Sequence, residues 1–166
     1  MASITLKGNE IHTGGNLPAV GSDAPLFTLT KADLTPISLS ELKGKKVVLN
    51  IFPSLDTGIC AASVREFNKR ACEGLGATVV CISKDLPFAH KRFCEAEGLT
   101  NVITASDFKN DDFADAYGTA IEDGPMAGLH SRAIVVVNEN GQVVYTEQVP
   151  EIVQEPDYNT AVASMA

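Results

Sequence analysis

Two apolar runs of strand length, VVLNIF (47–52) and ATVVCIS (77–83), constrain this chain more than any other feature. Unbroken apolar strands of this kind are buried on both faces of a sheet. Between them Val64, Phe67 and Ala71 recur at helical spacing, while Arg65, Glu66, Lys69 and Arg70 take other positions. That pattern predicts an amphipathic helix over 61–73 and a strand–helix–strand unit.

The alternation continues downstream. Asp85 can cap a second helix with Pro87 in its first turn and a stripe of Leu86, Ala89, Phe93 and Ala96. NVIT (101–104) reads as a third strand, and DDFADAY as a short helix behind Asp111. RAIVVV and QVVYTEQV are strands joined by NENG, whose Asn140-Gly141 is a hairpin signal. Past Pro156, Tyr158, Ala161, Val162 and Met165 share one face of a closing helix. Upstream, ITLKGNEIHT predicts a small hairpin about Gly8-Asn9, and 18–42 reads as strands or loops wrapped over the core. The order is that of an α/β, thioredoxin-like fold: a central mixed sheet flanked by helices, with an N-terminal β-hairpin extension. With no repeat or linker, residues 1–166 form one domain, and 1–45 are an N-terminal addition.

Charge narrows the function classes. A net charge of −8 and a pI of about 4.8 disfavour attraction to nucleic acid. The lysines of ELKGKKVV mark a solvated turn. No apolar run reaches the ~18 residues of a membrane span, and no basic segment precedes an apolar one at the N-terminus. The cytoplasm is the expected compartment.

The four cysteines, Cys60, Cys72, Cys81 and Cys94, are spaced by 12, 9 and 13 residues and form no C-x-x-C pair. His12, His90 and His130 stand at no ligand spacing from them, so neither a metal nor another cofactor is expected. Cys60 differs from the others by its setting, PSLDTGIC, a turn between strand and helix. It falls in or just before the first helical turn, where unpaired N–H groups and the helix dipole favour a thiolate. An ordinary thiol is only a few per cent ionised at neutral pH, so full ionisation gains about thirtyfold. That alone makes no powerful enzyme. Further groups must stabilise the transition state, which directs attention to Thr57, three residues upstream, and to a cation. Arg132, at the start of the buried strand AIVVV, is the best candidate, because a charge there needs a partner. Pro53 can shield one side of the thiol. On spacing alone each has a blander reading: turn residue, strand-end arginine, strand terminator.

Pro53, Thr57 and Cys60 match the P-x-x-x-T-x-x-C motif of the peroxiredoxins, with Arg132 in a matching late-strand context. The strings NIFPSLDTGICAASVREFN, CISKDLPFAHKRFCEAEGL and EPDY resemble the bacterial thiol peroxidase branch over nearly the whole chain. The resemblance implies reduction of hydrogen peroxide and alkyl hydroperoxides without metal, haem or flavin. It implies Cys60 as the peroxidatic cysteine, Cys94 as the resolving cysteine and a Cys60–Cys94 disulfide. Pro53, Thr57 and Arg132 then complete a peroxide pocket in which Thr57 and Arg132 act as donors. A homodimer reduced by thioredoxin is the expected assembly and partner. Cys81, inside a strand, and Cys72, late in its helix, read as bystanders. A non-peroxidatic thiol oxidoreductase lacks its C-x-x-C motif here, and a thioredoxin-like binding module would leave Cys60 inert.

Overall fold

The computed structural model describes residues 1–165. Its centre is a seven-stranded mixed sheet. The first apolar run forms β5 (Val47–Ile51), every residue of which is buried, and the second forms β6 (Thr78–Ser83), paired parallel to it. β7 (Ile103–Ser106) continues the parallel set beside β6. On the other side β8 (Ala133–Val137) runs antiparallel to β5, and β9 (Val143–Gln148) antiparallel to β8. β3 (Thr28–Lys31) and β4 (Pro36–Ser38) complete the order β4-β3-β7-β6-β5-β8-β9, so the upstream segment extends the main sheet rather than lying over it.

Side-chain alternation splits the core in two. Val47, Leu49 and Ile51 point into one cluster with Phe113 and Tyr117 of α3 (Asp112–Tyr117). Val48 and Phe52 point into the other with Val64 and Phe67 of α1 (Gly58–Cys72) and Ala161 of α4 (Tyr158–Ala163). Phe67 meets Tyr158 edge to face at 5.3 Å, a geometry that adds about 0.5–1.5 kcal/mol beyond burial. The period-2 pattern of β5 thus assigns α1 and α4 to one face and α3 to the other.

Several boundaries differ from the sequence reading. α1 begins at Gly58, three residues before the predicted start, because the turn after Pro53 leads directly into it. α2 (Pro87–Glu97) begins behind Leu86, without a side-chain cap. Its inward face also differs: Leu86 and Ala96 are exposed, whereas Pro87 and His90 are buried. Asp85 makes no cap because its carboxylate is engaged elsewhere. β7 starts two residues late, since its partners on β6 and β3 lie opposite 103–106.

A separate hairpin, β1 (Ser3–Leu6) with β2 (Asn9–His12), turns at Lys7-Gly8, one residue before the expected place. Both turn residues have positive φ (50° and 83°), the two-residue geometry that matches strand twist. Glu151, in the loop after β9, fastens this hairpin by accepting from the Gly8 N–H at 2.9 Å and the Thr5 hydroxyl at 3.0 Å. These bonds and the Val153 N–H, the strongest influence, hold its carboxyl at about 2. The hairpin is thereby held beside the carboxyl end of β5, where the next segment lies.

Candidate active site

At the end of β5 the Phe52 N–H still pairs with the Ile82 carbonyl at 3.1 Å, and Pro53 then ends the ladder. Ser54–Thr57 close a turn: the Ser54 carbonyl accepts from the Thr57 N–H at 3.3 Å and from the Thr57 hydroxyl at 3.0 Å. Ala61 is the first residue whose N–H finds a helical carbonyl, that of Thr57 at 3.0 Å. The N–H groups of Gly58, Ile59 and Cys60 therefore have no helical acceptor, and Cys60 is the third residue of α1.

Cys60 is 0% exposed, as part of the core cluster beneath α1. Ser63 donates to its carbonyl at 2.8 Å, and Asn50 of β5 donates to Ser63 at 3.2 Å, which braces this turn against the sheet. Arg132 comes from the opposite side, just before β8, and is 1% exposed. Its Nε donates to the Ile152 carbonyl at 2.9 Å, and its Nη2 lies 3.3 Å from the Cys60 sulfur. Its Nη1 has no partner among the described residues. A buried guanidinium is costly unless its donors are met, so this arginine is held for the sulfur and for something more.

The structure brings Pro53, Thr57 and Arg132 together around one cleft of ≈ 360 Å³. Pro53 is buried and Thr57 exposed. The remaining walls are mainly apolar: Leu6 from the hairpin, Ile59, Met126, Ile152 and Val153, with Lys7 among them. Thr57 is bound within its own turn in this arrangement. Its one hydroxyl proton goes to Ser54, so toward the cleft its oxygen can only accept.

Cys94 lies apart from this group. It sits in the second half of α2, half-buried beside the Thr104 hydroxyl of β7, close enough to Cys81 of β6 to affect it. Burial pushes its thiol up, partly offset by Thr104. Cys94 is not among the residues that line the cleft. All four cysteines are free thiols. Cys81 is wholly enclosed and pushed up to about 12 by burial, and Cys72 is exposed at the end of α1.

The sequence reading missed two parts of this site. Apart from Ile59, the apolar walls come from segments with no local motif, so nothing in the string marked them. Asp85 carried a signal, a carboxylate between strand and helix, but that signal also fits a helix cap.

A thioredoxin-like sheet carrying a cysteine in the first turn of its first long helix defines the class, a thiol-based redox fold. The chain belongs to the redoxin family: the family model described as Redoxin matches residues 19–162. It is 61% identical over 165 residues to the thiol peroxidases of Mycobacterium tuberculosis and Mycobacterium bovis, covering 99% of each chain. Among solved structures, a peroxiredoxin-like protein from Aquifex aeolicus superposes with TM-score 0.92 at 36% identity, covering 98% of this chain and 95% of that one. The thiol peroxidase from Chromobacterium violaceum shares the fold, with TM-score 0.89 at 20% identity over 96% of this chain and 93% of its own.

Proposed function

We propose that this chain is a thiol-dependent peroxidase that reduces hydroperoxides through Cys60, with Cys94 as the resolving thiol. The observation that carries the reading is Arg132, which lines the cleft: one N–H lies on the Cys60 sulfur, and Nη1 is buried with no partner among the described residues. The Cys60 thiolate attacks the distal oxygen of a bound hydroperoxide and the O–O bond breaks. The sulfur keeps that oxygen as a sulfenic acid, and the alkoxide or hydroxide leaves with the bonding pair and takes up a proton. Charge grows on the departing oxygen, where the Nη1 donor and the open N–H groups at the helix start act best. Thr57 accepts the peroxide O–H and orients it. The apolar walls favour an alkyl hydroperoxide over hydrogen peroxide, which gains nothing from them.

The Cys94 thiolate then attacks the sulfenic sulfur, hydroxide leaves as water, and a Cys60–Cys94 disulfide remains. Disulfide formation draws the two Cα atoms to ~4.4–6.8 Å, by local unwinding of the first turns of α1 and of the α2 segment that carries Cys94. A dithiol reductant, thioredoxin, returns both thiols. A homodimer fits the exposed Leu86 and Phe88 at the start of α2, and four free thiols suit the cytoplasm. No described helix is long and apolar enough to cross a membrane.

The test is one equivalent of cumene hydroperoxide added to reduced protein, with thiols followed by mass spectrometry. The expected result is loss of two thiols and a Cys60–Cys94 bond, abolished by Cys60→Ser. Peroxide consumption that survives Cys60→Ser overturns the assignment.

A further inference from the structure

Asp85 lies between β6 and α2 with its side chain 10% exposed. Its Oδ1 accepts the Ser54 hydroxyl at 2.7 Å, and its Oδ2 accepts the Leu55 N–H at 2.8 Å and the Ser83 hydroxyl at 2.6 Å. Its own carbonyl accepts the hydroxyl of Ser106 on β7. Ser54 and Leu55 belong to the turn that carries Thr57 and leads to Cys60. Asp85 stands two residues before the helix that carries Cys94.

Proton counting fixes the state of the group behind it. The hydroxyl proton of Ser83 goes to the carboxylate, so His90 Nε2, 2.8 Å from that oxygen, must be the donor. Its Nδ1 is buried with no partner among the described residues, so a second N–H there would go unmet; the ring is neutral, in keeping with full burial, which pushes its pKa down to about 4. A neutral ring leaves the carboxylate charge for the loop. Charge-assisted bonds of this kind are about twice as strong as neutral ones.

The remaining side-chain bonds of residues 54–57 are internal to the turn, such as the Asp56 N–H to the Ser54 hydroxyl at 3.1 Å. The other outside tie is the exposed pair Asp56–Arg92 at 3.6 Å, and Arg92 is also on α2. One tie of this turn therefore runs to the loop that leads into the Cys94 helix, and the other to that helix itself.

From these contacts, and resting on the proposed peroxidase cycle, we infer that Asp85 is a positioning residue that fastens the Cys60 loop to the Cys94 helix, so that the two segments open together. Closed, it holds Thr57 and the helix start in place for attack. Released, it frees both segments for the disulfide. One carboxylate thus opposes the second step in order to favour the first.

The test uses Asp85→Asn, with Ser54→Ala as a milder variant that removes one bond of the set. Amide hydrogen exchange of the reduced proteins is read over residues 54–62 and 87–97. Stopped-flow mixing with cumene hydroperoxide reads sulfenic acid formation and disulfide closure separately. In Asp85→Asn, exchange rises in both segments, attack slows about tenfold and closure accelerates; Ser54→Ala moves the same quantities less. A merely structural role would loosen the whole protein and slow both steps. Faster exchange in one segment only, or closure that does not accelerate in either variant, overturns the inference. Wild-type protein that forms no sulfenic acid overturns the peroxidase reading instead, and the exchange result still decides the coupling.

Discussion

Cys60 and Cys94 are the same side chain in two opposite settings. Cys60 is sealed from solvent, with a guanidinium N–H 3.3 Å from its sulfur and unpaired N–H groups around its helical turn. Cys94 is half-buried beside a threonine hydroxyl, with no cation acting on it among the described residues, and burial pushes its thiol up. On the proposed cycle the contrast follows from what each thiol attacks. A peroxide oxygen needs its leaving group stabilised, whereas a sulfenic acid is already a reactive electrophile. Machinery therefore belongs around the first thiol, while the second needs only to arrive.

The sharpest way to break this contrast is to remove the cation. Arg132→Gln keeps a hydrogen-bonding side chain but loses the charge and the fork that spans Ile152, Cys60 and the cleft. Sulfenic acid formation, followed by stopped flow, is expected to fall about 10²–10³-fold, the usual cost of a preorganised donor at a developing anion. Disulfide closure in molecules already oxidised should change far less. A comparable loss in both steps would mean that Arg132 supports the fold and not the attack.

Thr57 sharpens the same comparison on a smaller scale. Thr57→Val keeps the shape but removes the oxygen that can accept the peroxide O–H, and it breaks the bond to Ser54. Attack should slow roughly tenfold to hundredfold. With an alkyl hydroperoxide, apolar contacts to the walls persist, so the loss should appear in kcat/KM for both peroxides alike. A loss confined to one substrate would assign Thr57 to specificity.

The readable half of this site was the half built from adjacent residues. PSLDTGIC states its own geometry, because a proline after a buried strand and a cysteine before an amphipathic stripe leave little freedom between them. Arg132 was legible for a different reason: a charge opening a wholly apolar strand demands a partner, though which partner only the tertiary structure reveals. Leu6, Met126, Ile152 and Val153 were not legible, since they meet only after the hairpin docks on Glu151 and β9 turns back. α2 was misread at His90, which the predicted stripe left out. A histidine argues for solvent by composition, yet His90 is enclosed because Ser83 satisfies its Nε2. Leu86, which periodicity placed on the buried stripe, stands 52% exposed, and the neighbouring Phe88 65%.

The pH dependence of closure probes Cys94 with the smallest effect. If the closed form dominates and its Cys94 is protonated, reaction requires both opening and loss of the proton. The rate then rises up to tenfold per pH unit until the pH reaches the thiol value of the dominant closed form, whichever event comes first. Burial raises that value, so the inflection should lie above the ordinary thiol range near ~8.5. The measurement is closure after rapid sulfenylation, across a pH series by double mixing. Thr104→Val supplies the sign check: the Thr104 bond lowers the thiol value, so its removal should move the inflection further up while leaving closure below the inflection no slower. An inflection at or below ~8.5 that Thr104→Val leaves unmoved would show that Cys94 waits already exposed. The two thiols would then differ in activation but not in enclosure.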